Sequence, residues 1–279
     1  MKNFGLSLLI TAACSVAMSQ EAEGYVNPNS VRGIHSSDIM YKKSVLRQVD
    51  LREKQNKSLF AKNKEITRII IDAVKEGKLK VYATDSLEKG RSFTKEEFLE
   101  NIKVPNQEAE LTEEEKQFQA AAAADAANDP FADANKSVSS GPAYFEPKDL
   151  FLMEINEDFL FDKQRSRAYW DIQSIKLIVP AELNQKVDLP AGTFKYKDLV
   201  EVFSKDPRAL WFNPENDQEH RNMAHAFDLR LFSSYLIKVS NPDDSYLADI
   251  YNKDEREGLL ASYWKASELM EYEHNLWEF

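Results

Sequence analysis

The residues that could hold a metal ion are few and poorly spaced for that role. The sequence has four histidines, and His220 and His225 are only five positions apart. On a helix these two would not share one face, whereas metal-binding histidines at the spacing of His-Glu-x-x-His do. Asp243 and Asp244 could begin a calcium loop, but the downstream ligands of such a loop are missing. The sequence therefore predicts no metal site.

Residues for acid–base or nucleophilic catalysis are equally sparse. Asp171 follows Trp170 and Glu278 follows Trp277, and an apolar neighbour can raise a carboxyl pKa for acid catalysis. A solvated carboxylate beside a packed indole explains both pairs more simply. The sequence has no Gly-x-Ser-x-Gly motif, P-loop or dinucleotide fingerprint, and only eight glycines. We therefore expect no catalytic residues, no cofactor and no enzymatic activity; the enzymatic alternative is a hydrolase with an acid pair in a cleft.

The charge balance narrows the range of partners. The 279 residues include 36 basic and 47 acidic side chains, for a formal net charge of -11. Nucleic acids and anionic membrane surfaces are disfavoured, because they bind clustered Lys and Arg. No apolar run of about 18 residues follows the N-terminal region, so no membrane span is expected. At 43% hydrophobic residues the chain can bury a substantial core.

The N-terminus has the pattern of an export signal. Lys2 precedes a short apolar run, and residues 17–19 form a small-x-small cleavage site. We expect residues 1–19 to be a signal peptide and residues 20–37 to be a flexible N-terminal segment. In the alternative interpretation, Cys14 is lipidated. Cleavage after position 19 would leave a chain without cysteine, which excludes disulfides and thiol catalysis.

Residues 38–104 have the periodicity of an α/β lobe. Apolar residues three and four positions apart predict a helix at 66–76, and Gly77 stands where a left-handed cap would end that helix. Thr94 and Glu97 have the spacing of a capping box, which predicts a second helix after them.

Residues 105–143 interrupt this pattern. Positions 120–127 are almost all alanine, and eight acidic residues stand against two lysines between positions 107 and 142. A helix here would have no apolar stripe to hold it on a core. We expect an exposed acidic, alanine-rich linker; the alternative is a helix that becomes ordered only on a partner.

Residues 144–279 predict a second lobe of the α+β class. Three apolar runs predict strands, at residues 151–155, 159–161 and 169–179. A turn is expected at residues 162–164, between the second strand and the third.

The signals after these strands are weaker. Residues 199–203 fit either a strand or a helix, and Asp206, which precedes a proline, is typical of a helix start. Phe227, Leu231 and Tyr235 fit one face of a helix.

Residues 254–277 predict a long C-terminal helix. Its large apolar residues form one broad stripe, which consists of Leu259, Leu260, Tyr263, Trp264, Ala266, Met270 and Trp277. We expect this amphipathic helix to pack on the second lobe or to meet a neighbouring protein. Together the elements predict an α+β protein of mixed short strands and helices, in two lobes or one interrupted domain.

Four short segments resemble, in order, signatures of the GldN (PorN) family. They are residues 49–56 (VDLREKQN), 161–166 (FDKQRS), 230–235 (RLFSSY) and 272–279 (YEHNLWEF). The first two mix charges of both signs, which suits salt-bridged structural joints better than anion binding. Each segment alone is weak evidence for the family, but four segments in the family's order, behind an export signal, make the resemblance specific. The resemblance covers most of residues 38–279.

The resemblance implies a non-enzymatic structural component of the type IX secretion and gliding motility machinery. It implies a periplasmic location at the inner face of the outer membrane. There the chain would associate with a GldK- or PorK-like lipoprotein and with further copies of itself to form a ring. That ring would contact the periplasmic domain of a GldM- or PorM-like motor protein. The family has no known active site, so no catalytic residue follows. The alternative is an independent periplasmic binding module for a small ligand or a cell-wall fragment, which would need a deep apolar pocket.

The residues expected at structural joints or interfaces come from these segments and from the C-terminal helix. They are Asp50, Arg52, Glu53, Asp162, Lys163, Arg165, Arg230, Phe232, Tyr235, Tyr263, Trp264 and Trp277.

Overall fold

The computed structural model describes residues 25–84, 87, 90–104, 144–183, 188–251 and 255–276. Four features expected from the sequence lie outside the described residues. They are the signal peptide, the lipidation candidate Cys14, the linker at 105–143 and Trp277.

The described residues form strands and helices in a mixed order along the chain, which confirms the α+β class. The strands are β1 (Ile39–Asp50), β2 (Val81–Tyr82), β3 (Ser92–Phe93), β4 (Leu152–Asp162), β5 (Arg167–Val179), β6 (Leu189–Lys195), β7 (Leu210–Trp211), β8 (Arg221–Asn222) and β9 (Tyr235–Val239). The α-helices are α1 (Ile66–Lys75), α2 (Lys95–Asn101), α3 (Tyr196–Lys205), α4 (Met223–Asp228), α5 (Leu247–Ile250) and α6 (Glu255–Asn275). Short 3-10 helices lie at Ser36–Asp38 and Lys57–Leu59.

The main sheet joins the chain before and after residues 105–143. In the described part of the chain its strand order is β3-β2-β6-β5-β4-β1-β9. Neighbouring strands run antiparallel, and β1 pairs with β4 along nearly its whole length, from Tyr41 opposite Phe161 to Asp50 opposite Leu152. Because β1 and β2 pair with β4 and β6, both halves share one sheet, as in an interrupted domain.

The main core lies between this sheet and helices α1, α3 and α4. It buries Ile66 and Ile70 of α1, Leu199 and Phe203 of α3, and Phe227 of α4. These helices place their apolar residues three and four positions apart, so one face of each meets the sheet.

A second, smaller cluster lies under α5 and α6. It contains Val45, Leu236, Val239, Leu247 and Leu269. Val45 lies four residues from Val49, which belongs to the main core, so both point to the same face of β1. The two clusters are therefore neighbours on one face of the sheet.

Gly77 forms the left-handed cap after helix α1, as predicted. Gly77 has a φ of 73°, in the left-handed region. Its amide donates to the Val74 carbonyl (3.0 Å), and the Lys78 amide donates to the Ala73 carbonyl (2.9 Å), the two hydrogen bonds of a Schellman motif. A β-carbon at position 77 would meet no atom within 4 Å, so the backbone angle rather than lack of space favours glycine.

Replacing Gly77 with alanine should destabilise the protein by about 1–2 kcal/mol, because a left-handed conformation costs an L-residue about that much. Gly77→Asn should cost less, since asparagine tolerates this conformation better. Urea unfolding of both variants measures the difference. An alanine variant as stable as the native protein would contradict the conformational explanation.

Two further local predictions are confirmed. The capping box precedes α2: the Glu97 amide donates to Thr94 Oγ1 (3.3 Å), and the Thr94 amide donates to Glu97 Oε2 (2.8 Å). The turn expected at residues 162–164 begins directly after β4 and leads into β5. Both features depend on contacts between residues close in sequence.

The strands predicted at residues 151–155 and 159–161 form a single strand, β4. The polar residues between the two apolar runs do not end the strand, because it has a partner on each side. Glu157, for example, lies opposite Val45 of β1 and Ile172 of β5.

Two helix predictions in the second half are wrong. Asp206 follows α3 instead of starting a helix, and its carboxylate accepts a hydrogen bond from the Arg208 amide (2.8 Å). Tyr235 lies in β9, opposite Gln48, and not on the face of a helix. The free edge of β1 gives this segment backbone partners that a helix could not use. Residues 199–203, which fitted either element, lie in α3.

The long C-terminal helix is confirmed as α6, and of the two positions expected for its apolar stripe, on the lobe or facing outward, the structure has the outward one. Its large residues are between 43% and 66% exposed: Leu259, Leu260, Tyr263, Trp264 and Met270. The buried positions are Ala261, Ser262 and Leu269. A β-carbon at Gly258 would lie 3.3 Å from that of Ala248 in α5. The helix therefore packs on its inner side through small residues and Leu269, and leaves most of its large residues outside.

Candidate interaction site

The first signature-like segment folds around the end of β1. Asp50 is the last residue of the strand, and its carboxylate pairs with Arg52 at 3.1 Å. The Arg52 guanidinium also lies 3.4 Å from Glu182 and 3.4 Å from the centroid of the Phe151 ring. Glu53 is half-buried nearby, and its carbonyl accepts the Asn56 amide (2.9 Å). The ion pairs of Arg52 are partly exposed, and the role of this segment as a structural joint stays a prediction.

Asn56, the last residue of this segment, connects it to the third segment. Its side chain is fully buried. Its Nδ2 donates to the carbonyls of Asp50 (2.7 Å) and Ser233 (3.0 Å), and its Oδ1 accepts from the Ser233 amide (2.7 Å). One side chain thus satisfies three backbone groups from two distant parts of the chain. The sequence analysis did not select Asn56 as a site residue.

Replacing Asn56 with alanine should lower the free energy of unfolding by about 2–3 kcal/mol, because it leaves buried backbone groups without partners. Exposed Asn216 offers a matched control, and its alanine variant should stay within about 0.5 kcal/mol of the native protein. Urea unfolding followed by circular dichroism measures both. Equal, small losses of unfolding free energy at the two positions would show that the buried hydrogen bonds of the Asn56 side chain contribute little to stability.

The second segment lies at the opposite end of β1 and β4. The buried Asp162 carboxylate accepts hydrogen bonds from the amides of Gln164 (2.9 Å) and Arg165 (3.2 Å) and from the Arg165 guanidinium (2.7 Å). Burial raises the pKa of Asp162, but these hydrogen bonds outweigh it and hold the pKa below its ordinary value. The Lys163 amide donates to the Asp38 carbonyl (2.9 Å), which fixes the turn to the start of β1.

Arg230, the first residue of the third segment, belongs to an ion cluster around a buried carboxylate. The fully buried Glu157 carboxylate accepts hydrogen bonds from Arg230 (2.7 and 3.2 Å) and from Arg47 Nε. The two guanidinium groups lie 4.8 Å (Arg47) and 4.9 Å (Arg230) from the centroid of the Trp170 ring. We call Arg47, Glu157, Arg230 and Trp170 the arginine–glutamate cluster.

Burial lowers the pKa of Arg47; the charge of Glu157 opposes this, and that of Arg230 adds to it. Arg47 lies between Val45 and Val49 on one face of β1, so the arginine–glutamate cluster stands between the two apolar clusters. Sequence reasoning missed Glu157, although it occupies an inward position of β4 between Ile155 and Phe159, where a charge requires a partner.

The remaining residues of the third segment pack beside this cluster and the first segment. The Phe232 ring lies 5.4 Å from the Phe227 ring and 5.4 Å from the Arg230 guanidinium, measured to ring centroids. Burial raises the pKa of Tyr235, and the charges of Asp50 and Glu53 raise it further. The first and third segments therefore meet at one end of β1, whereas the second lies at the other end.

The predicted residues Tyr263 and Trp264 lie on the exposed side of α6. Together with α5, that helix exposes an apolar surface that consists of Tyr246, Ile250, Leu259, Leu260, Tyr263, Trp264 and Met270. We call this the outer helix face. Trp264 is 60% and Tyr263 63% exposed. Trp264 contacts Tyr251 edge-on, with centroids 6.4 Å apart, and Lys265 lies 5.2 Å from its ring.

On the opposite side, α6 is tied to the sheet by the Tyr272 ring, 4.5 Å from the Tyr41 ring. The helix is therefore fixed on the sheet while its large side chains face outward. Exposed tyrosine, tryptophan and methionine side chains of this kind are enriched at protein–protein contacts.

The described residues do not show the geometry of a catalytic centre. Within them, no group of three or more His, Cys, Asp or Glu side chains could hold a metal ion. Asp171, considered above as a possible acid, is buried, and burial raises its pKa. Its carboxylate accepts a hydrogen bond from Gln173 Nε2 (2.7 Å), which gives it a structural partner. In the same part of the chain, no helix is both long and apolar enough to cross a bilayer.

Comparison with protein families gives one match over nearly the whole chain. The family described as gliding motility associated protein GldN matches residues 34–278. A comparison with curated proteins finds no match. The family match includes all strands and α-helices of the described residues, and with them the arginine–glutamate cluster and the outer helix face.

Proposed function

Because the chain belongs to the GldN family, whose members are components of gliding motility and type IX secretion, we propose that it is a non-enzymatic structural component of that machinery. In this role it assembles with an outer-membrane lipoprotein of the GldK or PorK kind into a periplasmic ring. The ring lies under the outer membrane and contacts the periplasmic domain of a GldM- or PorM-like motor protein. The predicted signal peptide at residues 1–19 exports the chain to the periplasm.

The outer helix face is the observation that carries this proposal. Tyr, Trp and Met are enriched at the centres of protein interfaces, and this face contains Tyr246, Tyr263, Trp264 and Met270. Exposing these side chains to water is unfavourable, at roughly 25 cal/mol for each Å2 of apolar surface, so covering them stabilises a complex. A long helix with its large residues outward suits assembly better than catalysis.

The internal joints support the same role. Buried Asn56 and the arginine–glutamate cluster hold distant parts of the sheet in one arrangement. A rigid subunit loses less conformational entropy when it assembles, which favours a stable complex. The charged residues of the signature-like segments are therefore expected to maintain subunit shape, while the outer helix face makes the contacts.

The second candidate function, an independent periplasmic binding module, is favoured by a cavity of about 310 Å3. The cavity is lined partly by apolar side chains, among them Trp170, Ile172, Tyr196 and Phe227. Its size is at the lower end of small-ligand sites. A module of this kind would be recovered as a monomer and would be stabilised by its ligand.

Purification of the full chain from gently solubilised envelopes, followed by mass spectrometry and electron microscopy, distinguishes the two functions. Recovery with an outer-membrane lipoprotein in large ring-shaped particles is the expected result. Recovery as a monomer, under conditions that keep other envelope complexes intact, would contradict the assembly proposal and make a ligand screen the next step.

A further inference from the structure

A cleft with a volume of about 920 Å3 opens beside the end of α1, β2 and α3. Six basic side chains line it: Lys78, Lys80, Lys195, Lys197, Lys205 and Arg208. Four acidic side chains also line it: Glu76, Asp198, Glu201 and Asp206. The cleft is therefore a locally basic region on a chain whose net charge is -11.

Three of these lysines have no carboxylate partner. In the part of the chain that the structure describes, no carboxylate oxygen lies within 4.0 Å of the ammonium groups of Lys80, Lys195 or Lys197. Lys195 Nζ lies 5.2 Å from the centroid of the Tyr82 ring, and Lys197 Nζ lies 3.5 Å from the Pro28 carbonyl oxygen. Neither contact neutralises the positive charge.

The other three cations of the cleft are already paired. Lys78 binds Glu76 at 2.6 Å and Lys205 approaches Glu201 to 3.5 Å. The guanidinium of Arg208 is divided between two carboxylates, those of Asp206 (2.9 Å) and Asp72 (2.8 Å). Lys80, Lys195 and Lys197 are therefore the cations of the cleft without a carboxylate partner in the described part of the chain, and Asp198, which also lines the cleft, offsets part of their charge.

The sheet itself brings two of these lysines together. Tyr82 of β2 lies opposite Thr193 of β6 in an antiparallel pair. Lys80 directly precedes β2 and Lys195 ends β6, and both side chains line the cleft. Like charges that line one cleft repel each other. A bound anion would remove this repulsion, so the arrangement favours an anionic ligand.

The types of side-chain donor in the cleft also indicate which class of anion it would bind. Planar carboxylates are recognised best by the fork of an arginine, and the one arginine here is already occupied by Asp206 and Asp72. Lysine is a compact point charge with three N–H donors, which suits the tetrahedral oxygens of a phosphate. We propose that this cleft binds a phosphate-bearing ligand through Lys80, Lys195 and Lys197, with Tyr82 as an aromatic wall. This binding is separate from the assembly role of the outer helix face.

The cleft is larger than one phosphate group and falls within the size range of small-molecule sites. The phosphate therefore belongs to a larger molecule, either a soluble phosphorylated compound or a lipid headgroup. Two probes distinguish these sources. Pyrophosphate, titrated into the full chain by calorimetry, represents the soluble source. Vesicles of phosphatidylcholine with phosphatidylglycerol, against vesicles of phosphatidylcholine alone, represent the lipid source.

The test variant is Lys80→Gln with Lys195→Gln, and the matched control is Lys62→Gln with Lys64→Gln. The control changes the charge equally at two exposed positions outside the cleft. The test variant should weaken binding at least about tenfold, because it removes two of the three charged donors to the phosphate. It should also keep the native melting temperature, since neither lysine side chain is buried or paired with a carboxylate in the described part of the chain.

Binding of pyrophosphate without vesicle binding would support the soluble source, and vesicle binding that pyrophosphate competes away would support the lipid source. The proposal is overturned if the native chain binds neither probe. It is also overturned if the test variant binds as tightly as the native chain, or if the control variant weakens binding equally. Each readout is independent of ring assembly, so the two proposals can fail separately.

Discussion

Replacing Glu157 with alanine is expected to lower the free energy of unfolding by about 3–5 kcal/mol, the loss typical of breaking a buried ion pair from one side. Glu157 is fully buried and binds two guanidinium groups. Its removal leaves Arg47, whose side chain is 11% exposed, and Arg230, whose side chain is 28% exposed, both close to the Trp170 ring. Two partly dehydrated like charges then remain without a counter-charge.

Urea unfolding of the Glu157→Ala variant measures this loss, with Glu219→Ala as the control. Glu219 is exposed and pairs with Arg221 at 3.3 Å, so its removal should cost no more than about 1 kcal/mol. A Glu157→Ala variant that unfolds at nearly the native urea concentration would show that water replaces the carboxylate without difficulty. The arginine–glutamate cluster would then not be the joint between the two apolar clusters.

Replacing Leu260 and Trp264 together with glutamate is expected to weaken assembly at least about a hundredfold while leaving the fold intact. Each central aromatic or aliphatic contact in an interface typically contributes about 2 kcal/mol or more, and a charge placed there is left without a partner. Leu260 is 57% and Trp264 60% exposed, so the isolated chain keeps both charges in water. The free energy of unfolding should change by no more than about 1 kcal/mol.

Quantification of ring-shaped particles and of the co-purified lipoprotein measures the loss of assembly. Leu229→Glu is the matched control, because Leu229 is 51% exposed and lies outside the outer helix face. Assembly should persist in the control. If the double variant assembles normally, or if the control also prevents assembly, the outer helix face is not the contact surface.

The parts of the fold that could be predicted from the sequence are those that local contacts determine. The end of α1 follows from a single glycine, Gly77, and the start of α2 from Thr94 and Glu97, three positions apart. The turn after β4 forms around Asp162, whose carboxylate binds amides only two and three residues further on. Such features need no knowledge of the rest of the chain.

The incorrect or open predictions concern segments whose environment comes from distant residues. Tyr235 lies in a strand because β1 offers an unpaired edge, and β1 is nearly 190 residues away in sequence. For α6, the sequence left open whether the apolar stripe packs on the lobe or meets a neighbouring protein, because the side that faces the sheet depends on distant elements. Ala261 and Ser262 face inward, where the helix lies close to α5 and β9.

The same distinction applies to the candidate site. Asp50, Arg52, Asp162 and Arg165 could be recognised as candidate joints, because their ion pairs form within short segments. Asn56 and Glu157 could not, because each has a partner in the other half of the chain, across the segment at 105–143: Ser233 for Asn56 and Arg47 for Glu157. A single buried polar residue between apolar neighbours was the only local signal at Glu157.

Site-specific photo-crosslinking in living cells tests the central claim most directly. A photoreactive phenylalanine analogue replaces Tyr263 on the outer helix face, and in a parallel strain it replaces Phe212, a 44% exposed aromatic residue elsewhere. The assembly role predicts that position 263 crosslinks to an outer-membrane lipoprotein or to a second copy of the chain, whereas position 212 does not. An absence of adducts at position 263, in cells where the protein is present at its native level and secretion is active, would contradict it.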